Sequence, residues 1–303
     1  MSRRLPPLTA LRAFEAVARQ GSMARAAAEL HVTPAAVSQQ IKHLEEYFGQ
    51  ALFRRGKKLA LSDSAEDVLP RISDAFDRLE RAVAQLSKSA HEGPLVVSAP
   101  PTFADRWLVP RLDEFHGRHP EIEMRLLATR RLVDFALEDV DCAVRFGGGD
   151  YPGLVVVRLI SESIIPVAAP SLAAGVAEVA DLLEKPLLND EWHSASPGFP
   201  DWETWFASQG VKVESPLRSK HFGDANLTIQ AALSGLGVGL VWRSLVVDDL
   251  REGRLVWLLD KAMATRMAFH FVAPPNRINS PKVQAFREWL QAAAGQPEPS
   301  LGT

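Results

Sequence analysis

The sequence predicts two unlike parts in one chain: an N-terminal all-α module with a small hairpin and a long linker helix, then a larger two-lobed α/β domain. Three observations carry this. Apolar residues recur at helical spacing through the first 90 or so positions; from residue 95 short apolar runs alternate with helical patterns; and charge is divided unevenly. Residues 1–60 hold ten Lys or Arg against four acids, a charge of +6, which leaves −9 for the remainder of a chain whose net charge is −3. Such a split describes a basic module that meets a polyanion, attached to an acidic body with another task. At 303 residues, 47% hydrophobic and 23% charged, the chain has room for two or three globular domains. No apolar run approaches the roughly 20 residues needed to cross a bilayer, and MSRRLPPLTA lacks a signal-peptide core, so a cytoplasmic location without a membrane partner is expected.

Leu8, Leu11, Phe14, Val17 and Ala18 predict a first helix that starts at Pro7 and Thr9 and ends at Gln20, where Gly21 stops it. Ser22 is a natural N-cap for a short second helix with Ala26, Ala27 and Leu30 inward, and His31-Val32 makes the turn. Thr33 caps a third helix, with Pro34 at its first position where a missing N–H costs nothing. Val37, Ile41, Leu44 and Phe48 form one apolar stripe along it; Ala35, Ala36, Ser38, Gln39, Gln40, Lys42 and His43 lie off that stripe. In ALFRRGKKLALS two apolar runs flank Arg54-Arg55-Gly56-Lys57-Lys58, as in a hairpin with a basic tip. From Asp63 to about Lys88 the residues Val68, Ile72, Ala75, Phe76, Leu79, Ala82, Val83 and Leu86 follow seven-residue spacing. A long helix with one sticky seam needs a partner: a second copy in a coiled coil, or its own chain. Pro70 falls in its first two turns, where proline is better tolerated than in the interior.

After the linker HEGPL come LVVSA, a helix from Trp107 to His116, EIEMRLLA, a helix from Leu132 to Leu137, DCAVRF, LVVVRLI and IIPVAA, the alternation of βα units on a mostly parallel sheet. A second such unit starts near Val167 with LLND, DWETWFASQG, SKHFGD, NLTIQAALSGLG and VGLVW; MAFHFVAPP and a last helix from Lys282 to about Ala294 return to the first. Two lobes joined by crossing strands place a cleft at their hinge. The domains implied are residues 1–62, a linker helix at 63–90, and 91–303, with lobe I at about 93–165 and 268–295 and lobe II at about 166–267.

A short second helix across a third whose polar face stays free is a helix-turn-helix, and that face suits the DNA major groove, about 12 Å wide. Thr33, Pro34, Ala35, Ala36, Ser38 and Gln39 near the N-terminus of the third helix, with Arg25, are then the residues set at double-stranded DNA, and Gln pairs with adenine in two places. Lys42, Arg54, Arg55 and Lys57 suit phosphates, which give affinity without sequence information. Periodicity alone leaves a plain three-helix bundle with a solvated face as the alternative.

The stretch LPPLTALRAFEAVARQGSMARAAAELHVTPAAVSQQIKHLEEYFGQALFRR resembles the winged helix-turn-helix of LysR-type transcriptional regulators, and the likeness continues to about Leu290. LPPLTALRAFEAVAR, RLVDFALEDVDCAVRFGGG and AALSGLGVGLVWRSLVVDDLREGRLV are most similar to the branch of the glycine-cleavage activator and the β-lactamase-inducing regulator. One departure stands out: the family usually has Gly in a pattern like LTEAG after the wing, whereas LSDSAED places Ala65 there. The resemblance implies a homodimer through the linker helix, commonly paired into a tetramer. It also implies a two-lobed domain like that of periplasmic binding proteins, with a small-molecule effector in the interlobe cleft that alters DNA bending and contact with RNA polymerase. Such a protein is a switch and not an enzyme.

In this family the segment after the first effector-domain strand lines the cleft, which makes Pro101, Thr102 and Phe103 candidates. Thr102 and Asp134 match positions that bind or relay ligand in the β-lactamase-inducing regulator, although each also suits a helix cap. Phe146, Gly147 and Gly148 form a Gly-rich strand end, a common ligand position in open α/β sheets. His193 with Ser194, and Gly223 with Asp224, are candidates to close the cleft from lobe II. No catalytic set, cofactor loop or metal site is expected: GLGVG at 235–239 follows a helix and enters a strand, the reverse of the dinucleotide fingerprint, and His116 with His119 lacks a third ligand. Cys142 reads as a buried thiol, and Trp192, Trp202 and Trp205 as packing. Rival readings are a two-lobed solute-binding protein, a small-molecule enzyme on the same scaffold, or a ligand-free oligomerisation module with a filled cleft.

Overall fold

The computed structural model describes residues 5–54, 59–87, 93–190 and 199–295. The chain forms two compact units, Met1–Ser89 and Ala90–Thr303. In the first, α1 (Leu8–Gln20) ends at Gly21, whose left-handed φ of 61° turns the chain and brings its N–H to the Val17 carbonyl at 2.9 Å. Ser22 starts α2 (Met23–Glu29) by accepting the Arg25 N–H, and the buried methyls of Ala26 and Ala27 let this helix sit close to its neighbours. Thr33 starts α3 (Pro34–Phe48) by accepting the Ala36 N–H at 3.2 Å. Val37, Ile41 and Leu44 join Phe14 and Val17 in one core. Phe48 departs from the expected stripe: it is 46% exposed, its ring edge-on to Tyr47, because α3 outruns the core it packs on.

β1 (Phe53–Arg54) and β2 (Ala60–Leu61) pair antiparallel, with Phe53 tilted against Phe14 at 5.7 Å. The hairpin tip, including Arg55 and Lys57, lies outside the described residues. α4 (Asp63–Ser87) carries Pro70 without ending. Ala65, at the position where the family has glycine, buries its methyl in the same core. The seam of α4 divides: Leu69 and Ile72 pack on this core, whereas Val68, Leu79 and Val83 are exposed; Ala82 and Leu86 lie outside the described side chains.

The second unit is built on β3 (Leu95–Ala99), α5 (Pro101–Phe103), α6 (Leu112–Arg118), β4 (Met124–Ala128), β5 (Cys142–Gly147), β6 (Val155–Ala168), α7 (Pro170–Ala173), β7 (Leu187–Asp190), α8 (Trp202–Ser208), β8 (Ser219–Phe222), α9 (Ala225–Leu233), β9 (Val238–Trp242), α10 (Val247–Arg251), β10 (Val256–Trp257), β11 (Met263–Ala273) and α11 (Pro281–Gly295). One sheet runs in the order β4-β3-β5-β11-β6-β9-β7-β8, with β10 beside β6. β3 pairs parallel with β4 and β5, and β7 with β8 and β9. The long strands β6 and β11 run antiparallel to each other and to their neighbours, so the sheet is mixed and not mostly parallel.

Three local expectations are corrected. LVVVRLI and IIPVAA are one 14-residue strand, β6, because both β11 and β9 supply partners along it. Helical structure after β3 begins at Pro101 and reaches Arg118 through irregular turns around Pro110, instead of starting at Trp107. Residues 132–137 form only a turn, because side chains take the local N–H groups: Asp134 Oδ1 accepts from Ala136 N, and Glu138 Oε1 from Asp134 N. Among the described helices none is long and apolar enough to cross a membrane. Trp202 and Trp205 are core residues, and burial pushes the Cys142 thiol well above its ordinary range.

On the sheet face turned away from Phe269 and Phe271, His270 is buried opposite Arg145 of β5 and Arg158 of β6, with Tyr151 6.0 Å from its ring. Burial, helped by the charge of Arg158, holds this imidazole below its usual 6.5. The unfolded chain therefore binds the proton more readily, so the contribution of His270 to stability is complete above the unfolded value and is lost as pH falls below it. Urea unfolding of the second unit at pH 7.5 and 5.5 should show this acid sensitivity, and His270→Gln should reduce the difference between the two midpoints.

Candidate nucleic-acid interface and small-molecule cavity

Helix α3 turns Val37, Ile41 and Leu44 into the core and therefore leaves Pro34, Ala35, Ser38, Gln39 and Lys42 exposed, with Ala36 half-buried. Thr33 is exposed too, its hydroxyl oxygen occupied by the cap. Gln40 reaches back to the Thr9 hydroxyl at 3.5 Å and is half-buried, which removes it from the outer row. Of the cations named from sequence, Arg25 donates to the Gln20 carbonyl, Lys42 lies 3.6 Å from Glu46, and Arg54 pairs with Asp63. These are solvent-exposed contacts of small worth, easily exchanged for phosphate. The described face is one of short polar side chains beginning at a capped helix N-terminus, the geometry that lets base edges approach closely.

In the second unit a cavity of about 280 Å³ opens at the ends of β3, β5 and β7. Thr102, Phe103 and Phe146 line it, as do Arg130, Arg145, Asp190, Phe199, Trp242 and Phe269. Phe146 packs on Phe269 at 4.7 Å and on Trp242 at 4.8 Å. Pro101 begins α5 beside it, and the absent Cβ of Gly147 leaves room for the Tyr151 hydroxyl, 3.0 Å from where a Cβ would stand. Asp224 pairs with Arg130 at this edge and caps α9 by accepting the Asn226 N–H at 2.6 Å. Asp134 is exposed and outside the cavity lining, where it holds the 134–138 turn. His193, with Trp192 and Ser194, lies outside the described residues.

Sequence reasoning missed the two arginines and the aromatic far wall. Arg145 had a legible signal: a cation in DCAVRF, a strand otherwise apolar enough to be buried. Arg130, Phe199 and Trp242 had none, since only the fold brings them together. Outside the cavity lining, Arg106 donates to Asn226 at 2.9 Å and pairs with Asp249 at 2.6 Å, and Arg111 pairs with Asp248 at 3.0 Å. The Arg106 and Asp249 side chains are 11% and 4% exposed.

Two family patterns match the chain: "LysR substrate binding domain" over residues 88–295 and "Bacterial regulatory helix-turn-helix protein, lysR family" over residues 8–66. The glycine cleavage system transcriptional activator of Escherichia coli K12 is 38% identical over 302 residues, covering 97% of this chain and 96% of that protein. The transcriptional activator AmpR of Pseudomonas aeruginosa is 37% identical over 289 residues, 94% of each. The crystal structure of the AmpR effector domain from P. aeruginosa superposes with a TM-score of 0.57 at 30% identity, covering 67% of this chain and 96% of that one.

The buried pair of Arg106 and Asp249 gives a stability test. Asp249→Ala leaves Arg106 buried without its counter-charge and should cost about 3–5 kcal/mol in urea unfolding of the second unit. Glu114→Ala, which removes an exposed partner of Arg118, should cost less than about 1 kcal/mol.

Proposed function

From the premise that the chain belongs to the LysR family of bacterial transcriptional regulators, we propose that it reads promoter DNA through the exposed face of α3 and the wing, and that occupancy of the 280 Å³ cavity sets its effect on transcription. The observation that carries the reading is the clean division of α3. Its apolar residues are buried while Ala35, Ser38 and Gln39 stand outward from a capped end, as a recognition helix in the major groove requires. Ser38 and Gln39 would contact base edges; Lys42, Arg54, Arg55 and Lys57 would hold phosphates and make affinity fall steeply with salt. Work on DNA sets the protein in the cytoplasm.

The exposed Val68, Leu79 and Val83 of α4 support pairing of two copies through this helix, and a two-fold dimer reads two half-sites. Pairing of dimers into a tetramer, and contact with RNA polymerase, belong to the same proposal. An open cavity beside Phe103 supports a sensor over an oligomerisation module whose cleft is filled by its own side chains. A ligand there acts only through different affinity for two arrangements of the protein.

The two tasks are separable by substitution. In gel shifts at fixed salt, Gln39→Ala should weaken specific promoter binding by about 1–3 kcal/mol while leaving non-specific binding unchanged. Thr102→Val should leave DNA binding intact and weaken the response to effector. Equal effects of both on DNA binding would overturn this division of labour.

A further inference from the structure

We propose that the cavity takes a small organic monoanion, an apolar ring bearing one carboxylate whose charge is met by Arg145; the proposal rests on reading the cavity as the effector site. Arg145 is only 4% exposed, on a strand where it follows the apolar, buried Cys142, Ala143 and Val144. Its guanidinium donates to the Val144 carbonyl at 2.8 Å, the Ser98 hydroxyl at 2.8 Å and the Arg131 carbonyl at 3.3 Å. All three acceptors are neutral. Of five N–H donors two have no acceptor among the described residues, and no carboxylate there comes within ion-pair distance.

A buried cation without a counter-ion is costly, and desolvation accordingly pulls this guanidinium below its ordinary range. The acids close at hand are committed elsewhere. Asp224 pairs with Arg130, and Glu138 with Arg131 at 2.5 Å, a contact that holds the Glu138 carboxyl at about 2. The missing negative charge is therefore one a ligand can bring, and a planar carboxylate matches a guanidinium fork in two places.

The remaining walls define the rest of the molecule. Phe103, Phe146, Phe199, Trp242 and Phe269 offer aromatic faces and edges for a ring. Asp190 also lines the cavity, from β7. A volume near 280 Å³ lies at the small end of the about 300–1,000 Å³ usual for small-molecule sites, which suits one ring and not a nucleotide.

The test pairs benzoate and phenylacetate with their own primary amides, using crystals of the full-length protein soaked at millimolar concentration and calorimetry in solution. The expected result is the acids in the cavity with their oxygens at Arg145, bound at least tenfold more tightly than the amides, and a preference lost in Arg145→Met. Amides that occupy the cavity as well as the acids, or a preference that survives in Arg145→Met, overturn the proposal and leave the effector reading standing. Absence of both acids and amides from the cavity overturns the proposal and the effector reading together. If Arg145→Met does not fold, Arg145→Lys, which keeps charge without the fork, is expected to weaken the acids and leave the amides unchanged; unchanged acids would overturn the assignment.

Discussion

The antiparallel ladder between β6 and β11 is the constraint on which the second unit depends. Both strands are long, 14 and 11 residues, and their register shifts twice, with the main break between Ala264 and Ala268 and a second shift between Phe269 and His270. On one side of the break β11 also pairs with β5, and on the other β6 pairs with β9 and β10. The two halves of the sheet therefore share two strands and little else of the ladder. Any bend between them falls at the break, since a register shift is where a sheet gives up regular pairing and twists. Glu162 stands there, buried, its carboxylate taking the Ser244 hydroxyl and its carbonyl the Thr265 hydroxyl at 2.9 Å. The cavity lies where the strand ends of the two halves face each other, so a molecule held by Arg145 on one side and Trp242 on the other touches both.

The first unit obeys a different economy. Its helices are short, and their ends are set by single residues: Gly21 in the left-handed region, Ser22 and Thr33 accepting backbone N–H groups, and His31 turning the chain at φ 57°. Because these caps fix where α2 stops and α3 starts, they also fix which residues of α3 are turned outward. Moving the start of α3 by one residue would rotate Ser38 and Gln39 by about 100° and draw one of them toward the core.

Much of this was legible from the chain alone, and the reason is local. Caps, apolar stripes and the hairpin are decided by neighbours within a few residues, so α1 to α4 and the two short strands stand where periodicity places them. Expectations failed where distant partners decide, and once where nearby side chains compete with the helix. Phe48 has the right spacing but no core beneath it; 132–137 has helical spacing, but Asp134 and Glu138 take its backbone N–H groups; and two apolar runs merge into β6 because β9 and β11 lie alongside. Of the cavity, Thr102, Phe103 and Phe146 were foreseen, while Arg130, Phe199 and Trp242 come from segments that only the topology brings to one place. Arg145 is the instructive case. A charge inside an apolar strand was visible in DCAVRF, and its importance follows only once the absence of a paired acid among its described neighbours is known.

The central claim is that the exposed face of α3 reads DNA sequence. The most direct measurement is a footprint of the purified protein on the DNA beside its own gene, titrated at fixed salt because affinity without a stated salt concentration has no meaning. The account predicts a protected region with two half-sites separated by one or more helical turns, lost from a scrambled sequence of the same composition. Uniform, sequence-independent protection that disappears at modest salt would contradict it, leaving α3 a solvated helix and the second unit the place where function resides.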